Sequence, residues 1–104
     1  MPTTTIAGHE VDVNDEGFLT KPEQWTEDLA PELAKLIGLT LTDAHWELIR
    51  FLRADYAVKG ETATLRRAST QSGVPVKQLF ALFPQKPAKK MAYVSGLPKP
   101  KGCV

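Results

Sequence analysis

This chain of 104 residues has one cysteine, Cys103, the second-last residue. A lone thiol cannot close an internal disulfide, and with two histidines, His9 and His45, it is too little for a zinc site. No apolar run approaches the roughly 18–20 residues that span a bilayer. The start, Met1-Pro2-Thr3-Thr4-Thr5-Ile6, lacks a basic region followed by an apolar stretch, so no secretory signal is expected. These absences lead us to expect a soluble cytoplasmic protein with no cofactor, no metal and no membrane partner. There is also no glycine-rich phosphate loop and no defensible Ser-His-Asp arrangement. Asp43 and Glu47 stand one helical turn apart, but nothing around them reads as an acid–base partner, so a solvated helix face is expected.

A further absence is regional. All 12 acidic residues and 5 of the 13 basic ones lie in residues 1–61, whereas residues 62–104 hold 8 basic residues and no acid. The basic half would suit an acidic partner, nucleic acid or protein, and the two halves would also attract each other.

What is present reads as one small, mostly helical domain. Thr4 to Val13 forms a β-hairpin with Gly8 at its turn, and Asn14-Asp15-Glu16-Gly17 is a second turn before Phe18-Leu19. Thr26 is placed to cap a helix carrying Leu29, Leu33, Leu36 and Ile37, with Gly38 at its end. Pro31 is tolerated only if that helix starts near Leu29. Thr42 starts a second helix, through Val58, with Trp46, Ile49, Leu52 and Tyr56 on its inner side and Leu48 and Phe51 widening it. His45 in its first turn is expected to make local hydrogen bonds, His9 to lie on the surface, and Trp25 and Trp46 to be core aromatics. Thr62 is expected to cap a third helix ending at Gly73, and a fourth runs from about Pro75, with Val76, Leu79, Phe80 and Phe83, to Pro84.

After Pro84 the periodicity is lost. The expected division is therefore a hairpin plus helical domain over 1–84 and a C-terminal arm over 85–104, with Met91, Tyr93, Val94 and Leu97 able to dock part of it. Three prolines and five lysines fall in that last stretch. Pro98 and Pro100 limit the entropy lost on entering a partner, Gly102 keeps the tip slim, and Lys99 and Lys101 favour a thiolate at Cys103. Such an arm has the parts of a swinging carrier; the plainer alternative is an incidental thiol on a frayed end. A rival reading comes from Ser69, Gly73 and Leu79, spaced as in a helix-turn-helix, with Arg66, Arg67, Lys77 and Gln78 nearby as DNA contacts. Its second helix carries few polar residues and Pro75 sits in the turn.

Two blocks then bring a family into view. Leu82-Phe83-Pro84-Gln85-Lys86-Pro87-Ala88-Lys89 and Gly96-Leu97-Pro98-Lys99-Pro100-Lys101-Gly102-Cys103-Val104 resemble the C-terminal signature of the DsrC/TusE family of sulfur-relay proteins. The likeness extends to Asp15-Glu16-Gly17-Phe18-Leu19, Gln24-Trp25 and His45 through Arg53. The resemblance implies a helical bundle with a β-hairpin and a mobile arm, and a persulfide carried on Cys103. It implies a sulfur-donor protein and a sulfur acceptor as partners, the acceptor a tRNA-thiolating enzyme in the TusE-like case. The protein would be an enzyme only as a sulfurtransferase that is itself a co-substrate. DsrC members carry a second arm cysteine eleven positions before the last; here Ala92 stands there, which favours the single-cysteine, TusE-like type over a carrier or regulator in sulfur oxidation or trafficking. The family's usual glycine before Pro-Ala-Lys is Lys86 here. Lys89, Lys99 and Lys101 are the candidates for steering the arm to acidic partner clefts or to a tRNA-bound acceptor; direct nucleic-acid binding is the lesser alternative.

Overall fold

The computed structural model describes residues 3–6, 8–14 and 16–98. Strands β1 (Thr3–Ile6) and β2 (His9–Asp12) pair antiparallel, with Thr4 opposite Val11 and Ile6 opposite His9. The two-residue connection includes Gly8 at φ +81°, a left-handed conformation suited to glycine. Alternation turns Val11 inward, 1% exposed, and Glu10 outward; His9 shares the face of Val11 but, beside the turn, stays at the surface. The next turn is held by Asn14, whose Oδ1 accepts from the Glu16 and Phe18 amides; Val13 then bridges Leu19.

A short 3-10 turn (Pro22–Gln24) leads to helix α1 (Leu29–Leu36). Leu29, Ala30, Leu33 and Ala34 fall on one face and are buried. The cap residue is Asp28 rather than Thr26, whose backbone carbonyl accepts from the Leu29 amide. Pro31 thus falls in the first turn, where its missing N–H costs nothing.

Helix α2 (Asp43–Lys59) starts at Thr42, whose amide donates to His45 Nδ1 at 3.0 Å. An amide can only donate, so Nδ1 accepts and the ring proton sits on Nε2, which donates to the Leu82 carbonyl at 2.7 Å. His45 also meets Phe83 edge-on, so it ties the start of α2 to Leu82 and Phe83. The inner face is His45, Leu48, Ile49 and Leu52, rotated from the expected stripe; Trp46 and Tyr56 are only partly buried. Apolar residues surround much of this helix, so the packing partners and not the pattern decide which face turns in.

Helix α3 (Leu65–Ser72) is capped by Thr64, which accepts from the Arg67 amide, and not by Thr62. Thr62 and Ala63 are buried in the link from α2, leaving Thr64 as the residue whose hydroxyl faces the free amides. Gly73 ends α3 and α4 (Val76–Leu82) follows, burying Leu79; Phe83, just beyond it, is also buried. Val76 and Phe80, on the other side of this short helix, are exposed.

The main departure is α5 (Pro87–Val94), a helix where the sequence pattern fades. Pro87 occupies its first turn, and Ala88, Met91, Ala92 and Val94 are buried. α5 packs on α1, α2 and α4, so it is part of the core.

Candidate functional site

Cys103, Lys99 and Lys101 lie outside the described residues. The chain is described to Pro98, and what can be built from the residues upward is the root from which the last six residues continue.

That root begins as a helix end. After α5, Ser95 is the cap and Gly96 takes φ +68°. The Gly96 amide donates to the Tyr93 carbonyl at 3.3 Å and the Leu97 amide to the Ala92 carbonyl at 3.0 Å, the paired bonds of a Schellman ending. Leu97 is then buried, 1% exposed.

Side chains from three distant segments take the remaining carbonyls. Trp25 Nε1–H donates to the Val94 carbonyl at 3.0 Å. Arg53 donates from one nitrogen to the Ser95 carbonyl at 2.7 Å and from another to the Pro22 carbonyl at 3.0 Å. Its guanidinium lies 4.3 Å from the centre of the Trp25 ring. Burial lowers the Arg53 pKa from its ordinary value, but a guanidinium stays charged and keeps donating. Thr62, displaced from its expected capping role, donates its hydroxyl to the Pro98 carbonyl at 2.7 Å. A charge-assisted bond of this kind contributes about 1.5–3 kcal/mol and a neutral one about 0.5–1.5. The carbonyls of Val94, Ser95 and Pro98 are thus held from outside the segment. The Ser95 hydroxyl is buried among them with no partner among the described residues.

Gly96 is also a steric requirement. A Cβ there would lie 2.3 Å from Trp25 Cδ1 and 2.5 Å from its Cβ and Cγ. Trp25 was expected as a core aromatic; it is half-buried and serves as the seat of the root. Arg53 had a sequence signal that composition alone hides. It follows Ile49 by four residues and so falls on the buried side of α2, where a charge needs partners.

Lys89 is placed on α5, partly exposed, and lines a cleft with Lys86 and Lys90. It is a separate feature from the root hydrogen bonds. Lys86 caps α5 at φ +29°, and Gln85 before it has φ +58°, so the position where the resembled family has glycine is one that glycine adopts more easily. Lys90 closes this turn by donating to the Pro84 carbonyl.

The residues weighed for DNA contact are not set as a group. Arg67 is committed to Asp55 at 2.9 Å and to the Glu61 carbonyl at 3.2 Å, while Arg66, Lys77 and Gln78 face outward. Gly73 is an ordinary helix end at φ +79°, its amide on the Ser69 carbonyl. Among the described residues no helix is long and apolar enough to cross a membrane, and no three His, Cys, Asp or Glu residues cluster as metal ligands.

Comparison with known proteins covers nearly the whole chain. The family described as DsrC like protein matches residues 5–104, a span that includes Cys103. The chain is 38% identical to "Sulfurtransferase TusE" of Sodalis glossinidius, over 93% of this chain and 96% of that protein. It is 33% identical to "Sulfurtransferase TusE" of Escherichia coli, over 93% and 95%. Among solved structures, the NMR structure of Allochromatium vinosum DsrC superposes with a TM-score of 0.86 at 35% identity, covering 98% of this chain and 97% of that one. The oxidized gamma-subunit of the dissimilatory sulfite reductase (DsrC) from Archaeoglobus fulgidus gives 0.82 at 33% identity, covering 99% and 100%.

Proposed function

The chain belongs to the DsrC-like protein family, and we propose that it is a sulfur carrier, accepting sulfane sulfur as a persulfide on Cys103 and passing it on in a sulfur relay. The observation that carries the reading is the match to proteins named Sulfurtransferase TusE over 93% of this chain, within a family match that runs through Cys103. In keeping with those relatives, the relay we assign is tRNA 2-thiouridine synthesis in the cytoplasm.

The chemistry needs one thiolate and no cofactor. The Cys103 thiolate attacks the outer sulfur of a donor protein's persulfide, R–S–SH. A new S–S bond forms to Cys103, the donor's S–S bond breaks, and the donor leaves as its thiolate. Cys103 now holds the –S–SH group, and the same exchange hands the outer sulfur to an acceptor thiolate. Electrons balance at each step, so no oxidant is consumed. Lys99 and Lys101 favour the attacking thiolate, and with Lys89 they steer the segment toward acidic partner surfaces. Trp25, Arg53 and Thr62 hold the carbonyls of Val94, Ser95 and Pro98, and so anchor the chain just before that segment.

The solved DsrC neighbours favour a second reading, a carrier or regulator in sulfur oxidation or trafficking. Ala92 argues against the two-cysteine version of it: the side chain is fully buried in α5, a methyl in the core where those members are expected to carry sulfur.

The test is intact-mass measurement after incubation with a persulfide donor. Wild type should gain about one sulfur mass, reversed by reductant, and Cys103→Ser should gain none. A wild-type protein left unmodified by a donor that loads a control thiol would remove the chemical basis of the proposal.

A further inference from the structure

A cleft of about 270 Å³ opens between the Asn14–Phe18 turn, the end of α1 and the first turns of α5. Its floor is apolar. Phe18 is buried and meets Tyr93 edge-on at 5.8 Å between ring centres, and Ile37 adds an aliphatic wall. Its rim carries Lys86, Lys89 and Lys90 on one side and Glu16 on the other. Lys90 is tethered to the Pro84 carbonyl, and burial raises the Tyr93 pKa from its ordinary value, so the phenol remains a proton donor at neutral pH. Three cations over an aromatic floor select for a ligand with negative charge at its edges and an apolar centre.

We propose that this cleft docks a short acidic segment of a protein partner, with one aromatic or aliphatic side chain seated on Phe18, Ile37 and Tyr93 and flanking carboxylates on Lys86 and Lys89. The carrier reading supplies only the partner's identity, as a member of the sulfur relay.

Charge distribution favours a peptide over a nucleic acid. A polyanion needs a basic track several phosphates long, whereas among the described residues the cleft offers three lysines with Glu16 beside them, and α5 packs against α1 in the half of the chain that holds all 12 acids. A short segment can set its few carboxylates against the three lysines, which outnumber Glu16 at the cleft. Placement gives the dock a use. α5 runs from the cleft to the root at Val94 and Ser95, about 12 Å for eight residues, so a partner held here lies one short helix from the root.

The test is a backbone-amide NMR titration of the full chain with three probes: an acetylated Glu-Asp-Phe-Asp-Glu peptide, its variant with Ala for Phe, and a short single-stranded RNA. We expect the first peptide to shift the Phe18, Ile37, Lys89 and Tyr93 amides, the Ala peptide to bind more weakly, and K86E/K89E to weaken binding about tenfold or more. Wild-type binding should also weaken as NaCl rises from about 50 to about 300 mM, which keeps the test decisive if the double variant does not fold. No shift at these residues at millimolar peptide, unchanged affinity in the variant, salt-independent binding, or tighter RNA binding at the same amides would each overturn the proposal. The titration uses no sulfur donor, so its failure and a failure of Cys103 loading are separate results.

Discussion

Replacing Gly96 by alanine is the sharpest test of the root. Two costs add. The residue sits at φ +68°, and a side chain in the left-handed region costs about 1–2 kcal/mol. The new Cβ would also stand 2.3–2.5 Å from three Trp25 atoms, all near its backbone end. Trp25 has little room to yield, because its indole N–H is bonded to the Val94 carbonyl and Arg53 lies over its ring. Overpacking of this kind costs about 1–3 kcal/mol, for a total of about 2–5. In a domain of this size a loss of that order lowers the melting temperature by at least about 10 °C. Gly73 is the internal control. It has φ +79°, but a Cβ there would meet nothing within 4 Å. Gly73→Ala therefore carries the backbone cost alone, and both substitutions reduce unfolded-chain entropy equally. Thermal melts of the two variants, with hydrogen exchange at the Leu97 amide, isolate the steric part. Gly96→Ala should be the less stable by about 1–3 kcal/mol and should expose the Leu97 amide. Equal melting temperatures and an unchanged Leu97 amide would refute the idea that Trp25 is a fixed seat.

Other perturbations follow from the same geometry. Lys86→Gly should stabilise the fold by about 0.5–1 kcal/mol, since φ +29° suits glycine better than lysine; a urea midpoint that falls would show the turn to be unstrained. The Asp12 carboxyl is held below its ordinary pKa first by a hydrogen bond with Lys21, then by Gln24. Its contribution is thus present above the unfolded aspartate pKa of about 3.9 and is lost as pH falls through the lower folded value. Carboxyl NMR should find Asp12 titrating below free aspartate, and Lys21→Gln should raise its midpoint.

Much of this fold is written locally. Gly8 and Asn14 place the hairpin and its following turn, Thr42 with His45 starts α2, and Gly73 ends α3. Each is a contact between residues a few positions apart. The features that sequence left hidden are long-range. α5 buries two small residues, Ala88 and Ala92, beside Met91 and Val94, and Lys89 and Lys90 interrupt them, so its apolar signal is faint until α1 is placed against it. Thr62 reads as a cap because its partner, the Pro98 carbonyl, is far along the chain. The root has the same character: Trp25 and Arg53 look like an aromatic and a helix charge, and only the fold brings them to carbonyls 94 and 95. Cys103 stood out for the opposite reason, since a solitary thiol is conspicuous in any composition.

Anchoring at Pro98 has a geometric consequence for the thiol. Cys103 stands five positions beyond Pro98, and an extended chain gains at most about 3.6 Å per residue. The Cys103 backbone therefore stays within about 18 Å of Pro98, whose carbonyl the Thr62 hydroxyl holds. Were the chain free from Lys86 onward, the tether would be seventeen residues and the reach about 60 Å. The volume available to the sulfur would then grow about fortyfold, with the cube of that length. On the proposed carrier role, a partner's sulfur must come within the small sphere, and a cysteine on a bystander protein that cannot approach the root stays out of range. Short leash and pinned root together act as a spatial filter on which thiols Cys103 can meet.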